Sequence, residues 1–298
     1  MKFFDQITII GVGLLGGSFA RACKKENLAG TVIGFGRNRA NLEEGKKLNI
    51  IDRFEEDIEA AVRNSDLLVF CCPVASIIPS LKQSIPALKP GCIVTDVGSV
   101  KSVLVEKITG LVPEGVHYVG SHPIAGSEKA GLKESRPDLF QGNKCILTPV
   151  PSTDPAALET IRSLWKELGM EMVQMDAGEH DFIFGAVSHL PHVIAYVLMN
   201  TLGSIKTENY NEVISFSGAG LKDSTRIASS DPVMWRDIFL SNRAPVLKLI
   251  DQFKFSLDQV KGWIEKQDGP SLERSFSKAN KYRFNLVNGA AVLDDNRD

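Results

Sequence analysis

The chain has 298 residues, of which 43% are hydrophobic and 23% charged. This composition is that of a globular protein and excludes a disordered or fibrous chain. The length exceeds what one hydrophobic core usually supports, so two domains are expected. The formal net charge is −2, with no basic excess in either half. Neither nucleic acid nor an anionic membrane surface is therefore expected as a partner.

The sequence also predicts where the protein works. Its N-terminus lacks the pattern of a secretory signal, and its uninterrupted apolar runs fall well short of the ~20 residues that span a bilayer. The five cysteines are an odd number without CxxC spacing, which favours free thiols in a reducing compartment. We expect a cytoplasmic protein.

The first part of the chain alternates short apolar runs with amphipathic stretches. This alternation predicts βαβ units and a mainly parallel sheet, hence the α/β class. The segment 66–72 is almost continuously apolar, as expected for a strand covered on both faces. The predicted strands are 7–10, 31–35, 67–71, 92–95, 118–119 and 145–147, and the predicted helices include 14–26, 39–48 and 156–168.

After residue 176 only helical periodicity remains, over 176–202, 208–217, 232–266 and about 270–287. We therefore expect a dinucleotide-binding domain over 1–175 and an all-helical domain over 176–298. Pro191 cannot sit unpenalised inside a helix, so a kink or a new helix start is predicted near Ser188.

A glycine-rich turn follows the first predicted strand and opens a helix, with the pattern G-x-G-x-x-G. Gly11 makes the tight turn, Gly13 allows a pyrophosphate to approach the backbone, and Gly16 allows the helix to pack on the strand. The N–H groups at the helix start, which include those of Leu14 and Leu15, face the phosphates. The motif predicts a dinucleotide site.

The end of the second strand decides the cofactor. An NAD site usually has a carboxylate there for the ribose hydroxyls, but this chain has Gly36 followed by Arg37, Asn38 and Arg39. Guanidinium groups suit a 2′-phosphate in charge and geometry, so NADP is favoured. The alternative is that both arginines are solvated and that NAD binds through Asn38.

Polar side chains follow the fourth and fifth strands. Ser99 comes after the fourth, and His122 comes at the end of the fifth. Because ligands in open α/β sheets bind at the carboxyl ends of the strands, His122 is expected where a nicotinamide ring meets its substrate. A histidine before a proline can instead be a turn residue, but the nearby Ser99 favours a site.

Three of the five histidines lie within thirteen residues, at 180, 189 and 192. His189 and His192 are three apart and can share a helix face. Imidazoles on one face can bind zinc, but no cysteine or HExxH pattern accompanies them, so no metal is expected.

A third polar segment contains Arg226, a proline at 232 that starts a helix, and Trp235. An arginine beside an aromatic side chain is suited to holding a carboxylate attached to a ring. The alternative is an ordinary surface charge.

Together these motifs resemble the TyrA family, the prephenate and arogenate dehydrogenases of tyrosine biosynthesis. The resemblance rests on GxGLLGGS at 11–18, DVGSVK at 96–101, SHPIAGSE at 121–128, HDxxxxxxSHLPH at 180–192 and TRIASSDPxMW at 225–235. It covers nearly the whole chain. It implies a Rossmann-type domain followed by a helical domain through which two subunits form a homodimer.

The resemblance also implies a reaction and its residues. Prephenate loses a hydride to NAD(P)+ and its ring carboxylate as CO2, giving 4-hydroxyphenylpyruvate. His122 would accept the proton of the ring hydroxyl, for which a neutral imidazole is required. Ser99 would hold the same hydroxyl or orient His122, and Arg226 would anchor the ring carboxylate.

Further substrate-binding roles follow from the same resemblance. His192 would lie near the substrate side chain, and Trp235 would pack on the ring or position Arg226. We expect three more residues near the mouth of the cleft: Glu128, His180 and Asp181.

The main alternatives concern the substrate and other classes of dinucleotide-binding protein. Arogenate carries an ammonium where prephenate has a keto group. His192 can donate to a keto oxygen, which favours prephenate, although an enzyme accepting both is possible.

A β-hydroxyacid dehydrogenase would need a lysine on the helix at 182–201, which has none. A non-catalytic NADP sensor could do without His122, Ser99 and Arg226, yet all are present. Since neither a regulatory ACT domain nor a chorismate mutase segment is recognised, a monofunctional enzyme is expected.

Overall fold

The computed structural model of the protein describes residues 3–126, 131–209 and 212–288. Within these ranges the chain forms eight strands and twelve α-helices. The strands are β1 (Phe4–Ile10), β2 (Ala29–Phe35), β3 (Arg53–Phe54), β4 (Leu67–Phe70), β5 (Ile93–Asp96), β6 (His117–Pro123), β7 (Lys144–Leu147) and β8 (Glu171–Gln174). The helices are α1 (Leu14–Lys25), α2 (Arg39–Lys47), α3 (Ile58–Val62), α4 (Val74–Ser84), α5 (Ser102–Thr109), α6 (Pro155–Glu167), α7 (Ala177–Phe184), α8 (Leu190–Ser204), α9 (Ala219–Thr225), α10 (Pro232–Ser241), α11 (Arg243–Glu265) and α12 (Gly269–Asn288).

The strands form one sheet in the order β3-β2-β1-β4-β5-β6-β7-β8. All neighbouring pairs are parallel except β6 and β7, so the predicted mainly parallel sheet is confirmed. The order reverses between β1 and β4, and at such a switch point the loops after the two strands separate and leave a crevice for a ligand. The fold is an N-terminal Rossmann-type domain followed by helices.

A hydrophobic core lies on each face of the sheet. Along β4, Leu67 and Val69 belong to one cluster of buried side chains, whereas Leu68 and Phe70 belong to the other. This confirms the prediction of a strand covered on both faces. The first core is filled by the ring of Trp165 from α6, whose centroid lies 5.4 Å from that of Phe19 in α1. The two cores hold the strand ends, and the loops that follow them, in fixed positions.

The helical part begins with α7 at Ala177. Between α7 and α8 the helix widens into a π-helical turn, Gly185–His189, and α8 starts with Pro191 in its first turn. The predicted irregularity near Ser188 is thereby confirmed, because a proline in the first turn of a helix needs no N–H partner. The turn rotates the side chains that follow it, and π-turns of this kind are frequent at functional sites.

The stretch Ala177–Ser204 is, by length and composition, apolar enough to cross a membrane, and little of its most apolar window is buried. It nevertheless carries His180, Asp181 and His189, which are buried and hydrogen-bonded. Since a helix that packs an apolar face against protein has the same length and composition, this is weak support for a membrane span.

Several sequence expectations about elements were wrong. The short strands β3 and β8 were missed, because they have two and four residues and half of these residues are polar or charged. The described part of 208–217 contains a 3-10 turn, Val213–Phe216, in place of the predicted helix. The helix expected over 232–266 is divided into α10 and α11, which meet at Asn242. The side chain of Asn242 is buried and donates to the carbonyl oxygen of Asp181 and to Nδ1 of His189.

The chain divides into two compact units, 1–246 and 247–298. In the second unit a turn separates α11 from α12, and Asp268 accepts hydrogen bonds from the backbone N–H and hydroxyl of Ser271 at the start of α12. Exposed large apolar side chains are concentrated in the helical part of the chain. In the first unit they include Phe182, Val187, Val197, Phe216 and Leu240, and in the second Phe255, Ile264, Phe276, Phe284 and Leu286.

Candidate active site

The glycine-rich turn joins β1 to α1 next to the end of β4. Gly11 has φ +100°, and a Cβ there would lie 2.7 Å from the carbonyl oxygen of Cys71. A Cβ on Gly16 would lie 2.1 Å from the carbonyl oxygen of Gly11. Both positions therefore require glycine. A Cβ on Gly13, by contrast, would have no described atom within 4 Å, so the turn is open on the side where a pyrophosphate would approach.

The first turn of α1 fits an anion. Gly13 occupies the N-cap position, no side-chain hydrogen bond caps the helix, and its first turn has no acidic residue. The unpaired N–H groups and the positive end of the helix dipole therefore remain directed at the open side of the turn. These observations fit the diphosphate of a dinucleotide.

A cavity of about 1020 Å³ lies beside this turn. Five of the predicted cofactor residues line it, namely Gly11, Gly13, Arg37, Asn38 and Arg39, whereas Leu14, Leu15 and Gly16 do not. Leu14 and Leu15 instead pack against the core below the turn. Sequence reasoning missed the other wall, which the end of β4 and the start of α4 provide: Cys71, Cys72, Pro73, Ser76 and Ser80.

The three polar residues after β2 have different partners. Arg39 forms an ion pair with Glu43 at 2.8 Å and another with Glu56. The side chain of Asn38 caps α2 by accepting from the N–H of Asn41. Arg37 is exposed at the cavity, close enough to Cys72 for its charge to oppose the effect of burial, which raises the pKa of that thiol to about 12. Arg37 is thus better placed than Arg39 to meet an anionic ligand.

The loop that carries Ser99 is fixed by a buried ion pair. Asp96 at the end of β5 binds the ammonium group of Lys101, and both side chains are fully inaccessible to solvent. The same carboxylate accepts hydrogen bonds from the hydroxyl of Tyr118 and the N–H of Gly98, each at 2.8 Å. Since Ser99 lies between the two members of the pair, its position is set by this network, which sequence reasoning did not find.

His122 leaves the same edge of the sheet as Ser99, because β5 and β6 are neighbours with Asp96 opposite Gly120. Its Nδ1 lies 2.8 Å from Nε2 of His180, and Nδ1 of His180 lies 2.9 Å from Oδ1 of Asp181. The ring of Phe184 packs against His122, with centroids 4.7 Å apart. The structure therefore joins one strand residue to two residues of α7 in a row of hydrogen bonds.

Burial lowers the pKa of His122 well below 6.5, and the neighbouring His180, Lys101 and His189 lower it further. Burial likewise lowers the pKa of His180, against the opposing effect of the Asp181 hydrogen bond. His122 is therefore a neutral imidazole at neutral pH, the form that can accept a proton.

The expected placement of His180 and Asp181 at the mouth of a cleft is wrong. His180 is 0% exposed and Asp181 2%, because Asp181 accepts from the backbone N–H groups of Lys101 and Ser102 at the start of α5 and so draws α7 against the sheet domain. Glu128, the third residue expected there, lies outside the described residues.

The other predicted substrate residues lie on α8, directly after α9, and on α10. His192 stacks on Trp235 with ring centroids 3.5 Å apart, and Trp235 is buried in a cluster with Val100, next to Ser99. Nδ1 of His192 lies 2.8 Å from the carbonyl oxygen of Ser188. Arg226 is exposed at the end of α9 and close enough for its charge to lower the pKa of His192, together with the larger effect of burial.

His189 does not share an open face with His192. It is 1% exposed and accepts from the amide of Asn242 at 2.9 Å. Burial lowers its pKa to about 4. In the described ranges no cluster of three or more His, Cys, Asp or Glu side chains is arranged to hold a metal ion.

Known proteins match this chain along nearly all of its length. The family model described as prephenate dehydrogenase, nucleotide-binding domain, matches residues 19–174, and that described as prephenate dehydrogenase, dimerization domain, matches residues 176–278. A cyclohexadienyl dehydrogenase from Zymomonas mobilis is 35% identical over 96% of this chain and 97% of its own.

Solved structures agree with this assignment. Prephenate dehydrogenase from Aquifex aeolicus, in complex with hydroxyphenyl propionate and NAD+, is 35% identical with a TM-score of 0.89 over 95% of this chain and 98% of its own. Arogenate dehydrogenase from Synechocystis is 27% identical with a TM-score of 0.80, over 94% and 99%. The glycine-rich turn, the half-buried imidazole at the sheet edge and these matches together show that the chain belongs to the prephenate dehydrogenase family.

Proposed function

We propose that the protein oxidatively decarboxylates prephenate to 4-hydroxyphenylpyruvate, with hydride transfer to NAD(P)+, as a step of L-tyrosine biosynthesis. The observation that carries this proposal is His122: a neutral imidazole at the carboxyl edge of the sheet, with one nitrogen held by His180. Its second nitrogen, Nε2, is left to receive a proton.

The chemistry suits the residues. The bound pyridine nucleotide supplies the hydride acceptor. Nε2 of His122 accepts the proton of the ring hydroxyl as a carbonyl develops, and departure of CO2 then makes the ring aromatic. Ser99 holds the same hydroxyl, since its loop leaves the sheet beside His122. Arg226 anchors the ring carboxylate, loosely enough for CO2 to leave.

The cofactor is a pyridine nucleotide, and within this class we propose NADP+ with NAD+ as the alternative. Arg37, exposed at the cavity, supports a 2′-phosphate, whereas Arg39 is paired with Glu43 and Glu56. Arg39 thus contributes less than the sequence suggested. The backbone from Gly11 to Gly16 would hold the diphosphate, including the N–H groups of Leu14 and Leu15, and Asn38 remains the group through which NAD+ would bind.

We also propose a homodimer of two-domain subunits, divided as 1–175 and 176–298. β8 ends at Gln174 and α7 begins at Ala177, which supports this boundary. The exposed apolar side chains of the helical part, among them Val187 and Val197 at 66% and 57% exposure, support a subunit interface. We propose a cytoplasmic enzyme whose partners do not include nucleic acid or membranes.

One observation favours arogenate as a second substrate. The carbonyl oxygen of Ser188 can only accept, so Nδ1 of His192 carries a hydrogen, and Nε2 of the neutral ring is then an acceptor. A neutral His192 therefore suits the ammonium group of arogenate, whereas a keto oxygen needs the protonated ring. We accordingly propose that both substrates are accepted, and the preference for prephenate then depends on the protonation of His192.

Steady-state kinetics with prephenate and arogenate, each against NAD+ and NADP+, test these proposals. Reduction of the nucleotide at 340 nm with release of CO2 is the expected result. His122→Asn should keep dinucleotide affinity but lose about 10²- to 10⁴-fold in kcat, the usual contribution of a general base. Absence of turnover with both substrates would contradict the function, and near-normal turnover of His122→Asn would contradict the assignment of the base.

A further inference from the structure

We propose that His180 and Asp181 are positioning residues that act through His122, fixing the tautomer in which Nε2 of His122 is the proton acceptor. The proposal rests on the proposed function, because it concerns how the base of that reaction is prepared. It replaces the direct contact with substrate that the sequence suggested for both residues.

The direction of each hydrogen bond among His122, His180 and Asp181 follows from the charge state of Asp181. Oδ1 and Oδ2 of Asp181 accept from the N–H groups of Lys101 and Ser102 at 2.7 and 2.9 Å. Burial raises the pKa of Asp181, but these bonds and that from His180 outweigh it and leave the pKa below its ordinary value. Asp181 is therefore a carboxylate, which only accepts, and Nδ1 of His180 must donate to it.

The tautomer of His122 is then determined. With its hydrogen on Nδ1, neutral His180 has an acceptor at Nε2, 2.8 Å from Nδ1 of His122. Nδ1 of His122 must accordingly carry the hydrogen and donate it. The lone pair of neutral His122 is left on Nε2, the nitrogen outside this row of hydrogen bonds. The opposite tautomer would have no lone pair there to receive a proton.

The same row stabilises the product of proton transfer. The hydroxyl proton of the substrate forms a new N–H bond at Nε2, and His122 becomes an imidazolium in a site where burial disfavours charge. The positive charge of Lys101 near the two rings disfavours it further. The carboxylate of Asp181, reached through His180, supplies the opposing charge, while Asp96 is already paired with Lys101.

Phe184 explains how the rings keep their orientation. Its centroid lies 4.7 Å from that of His122 and 4.6 Å from that of His180. His180 is fully inaccessible to solvent, so bulk water does not compete for its nitrogens. The arrangement has the parts of a carboxylate-oriented base, with a second imidazole inserted between the carboxylate and the base.

Nitrogen NMR of the histidine rings tests the tautomers without turnover. The protein with bound dinucleotide, labelled with 15N-histidine, contains only five rings. At pH 7.5 we expect hydrogen on Nδ1 of both His122 and His180. In Asp181→Asn the amide can donate to Nδ1 of His180, which would move the hydrogens to Nε2 on both rings. Hydrogen on Nε2 of His122 in the unsubstituted protein would overturn the proposal.

Kinetics test the consequence. His180→Phe keeps a ring but removes the hydrogen bond, and we expect kcat to fall about 100-fold with KM and dinucleotide affinity within about threefold, as for loss of an orienting partner. His180→Gln can still accept from Nδ1 of His122 and should recover part of the loss. The control is His117→Phe, a partly buried histidine at the far end of β6, which should leave kcat unchanged.

The pH profile separates positioning from a structural defect. Loss of the carboxylate in Asp181→Asn removes stabilisation of the imidazolium, so the acid limb of kcat/KM should move to lower pH while kcat falls. In a serine-protease triad the same replacement leaves the wrong tautomer and costs about 10⁴-fold in kcat. Full kcat in His180→Phe, with His122→Asn inactive, would overturn the positioning role but leave the proposed function standing. If the unsubstituted enzyme turns over neither substrate, the function itself fails.

Discussion

Asp96 and Lys101 form an ion pair whose two side chains are both fully inaccessible to solvent, five residues apart across the loop that presents Ser99. Tyr118 and the N–H of Gly98 occupy further lone pairs of the carboxylate. A buried pair of this kind is costly to form, but removing one partner leaves an uncompensated charge. Its contribution here is to fix the loop rather than to add stability.

Lys101→Met should destabilise the protein strongly. Removal of the ammonium group leaves the buried Asp96 carboxylate without a counter-charge. We therefore expect a loss of about 3–5 kcal/mol in the free energy of unfolding, measured by urea denaturation. The double variant with Asp96→Asn should recover much of that loss. Lys89→Met is the control, because the Lys89–Asp66 pair is partly exposed and should cost about 1 kcal/mol or less. Equal losses in both lysine variants would contradict this account.

Arg37→Ala should change cofactor preference. The side chain is exposed at the cavity beside Cys72, and a charged hydrogen bond to a 2′-phosphate contributes about 1.5–3 kcal/mol. We expect KM for NADP+ to rise about tenfold or more, with little change for NAD+. Arg39→Ala, which removes a side chain already paired with Glu43 and Glu56, should change the ratio of the two KM values much less. If Arg37→Ala leaves the ratio of KM for NADP+ to KM for NAD+ unchanged, Arg37 does not cause a preference for NADP+.

The ratio of kcat/KM for prephenate to that for arogenate should depend on pH. Burial, and secondarily Arg226, lowers the pKa of His192 below 6.5, while its bond to Ser188 opposes them. As pH falls through that pKa the ring becomes a donor at Nε2, so the ratio should rise by about tenfold, the effect of one charged hydrogen bond. Changes at His122 affect both substrates and cancel in the ratio. The side chain in His192→Gln does not titrate, so its ratio of kcat/KM values should not change with pH. A ratio that still changed steeply with pH in this variant would show that His192 is not the group responsible.

Arg226→Ala should raise KM for prephenate steeply, by about 10- to 100-fold, because it removes the proposed partner of the ring carboxylate. Arg226→Lys keeps the charge without the planar pair of donors and should recover only part of the affinity. The measurement is the initial rate against prephenate concentration at saturating dinucleotide. An unchanged KM in Arg226→Ala would remove this residue from the site.

The sequence predicted those parts of the fold and site that follow from local pattern. The turn around Gly11 depends on glycines at fixed spacing, and the buried strand β4 on a continuous apolar run, so both were found. The burial of His180 and Asp181 depends instead on which backbone N–H groups lie opposite the Asp181 carboxylate. Asp181 accepts from Lys101 and Ser102, eighty and seventy-nine residues away, and spacing along the chain contains no signal for such a pairing.

The pairing of Arg39 was missed for a related reason. Glu43 lies one helical turn away and could have been expected to pair with it, but Glu56 comes from beyond β3, a two-residue strand without a hydrophobic pattern. Arg37 and Arg39, two positions apart, therefore looked equivalent in the sequence, although Arg39 is paired with two carboxylates. Lys101 differs in the opposite sense. A lysine in a loop is usually solvated, whereas Lys101 is buried, and only its tertiary neighbours show this.

Acid should destabilise the protein between pH 6.5 and about 4, partly through His189. Burial lowers the pKa of this residue to about 4, whereas in the unfolded chain it lies near 6.5. Its contribution to stability is therefore fully present above pH 6.5 and is lost as the pH falls, because the unfolded chain binds a proton that the folded one does not. The full effect is about 3 kcal/mol. His122 and His180, whose pKa values are also lowered by burial, act in the same direction. Urea midpoints measured across this range should fall less steeply in His189→Gln, and parallel curves for the two proteins would show that His189 does not titrate on unfolding.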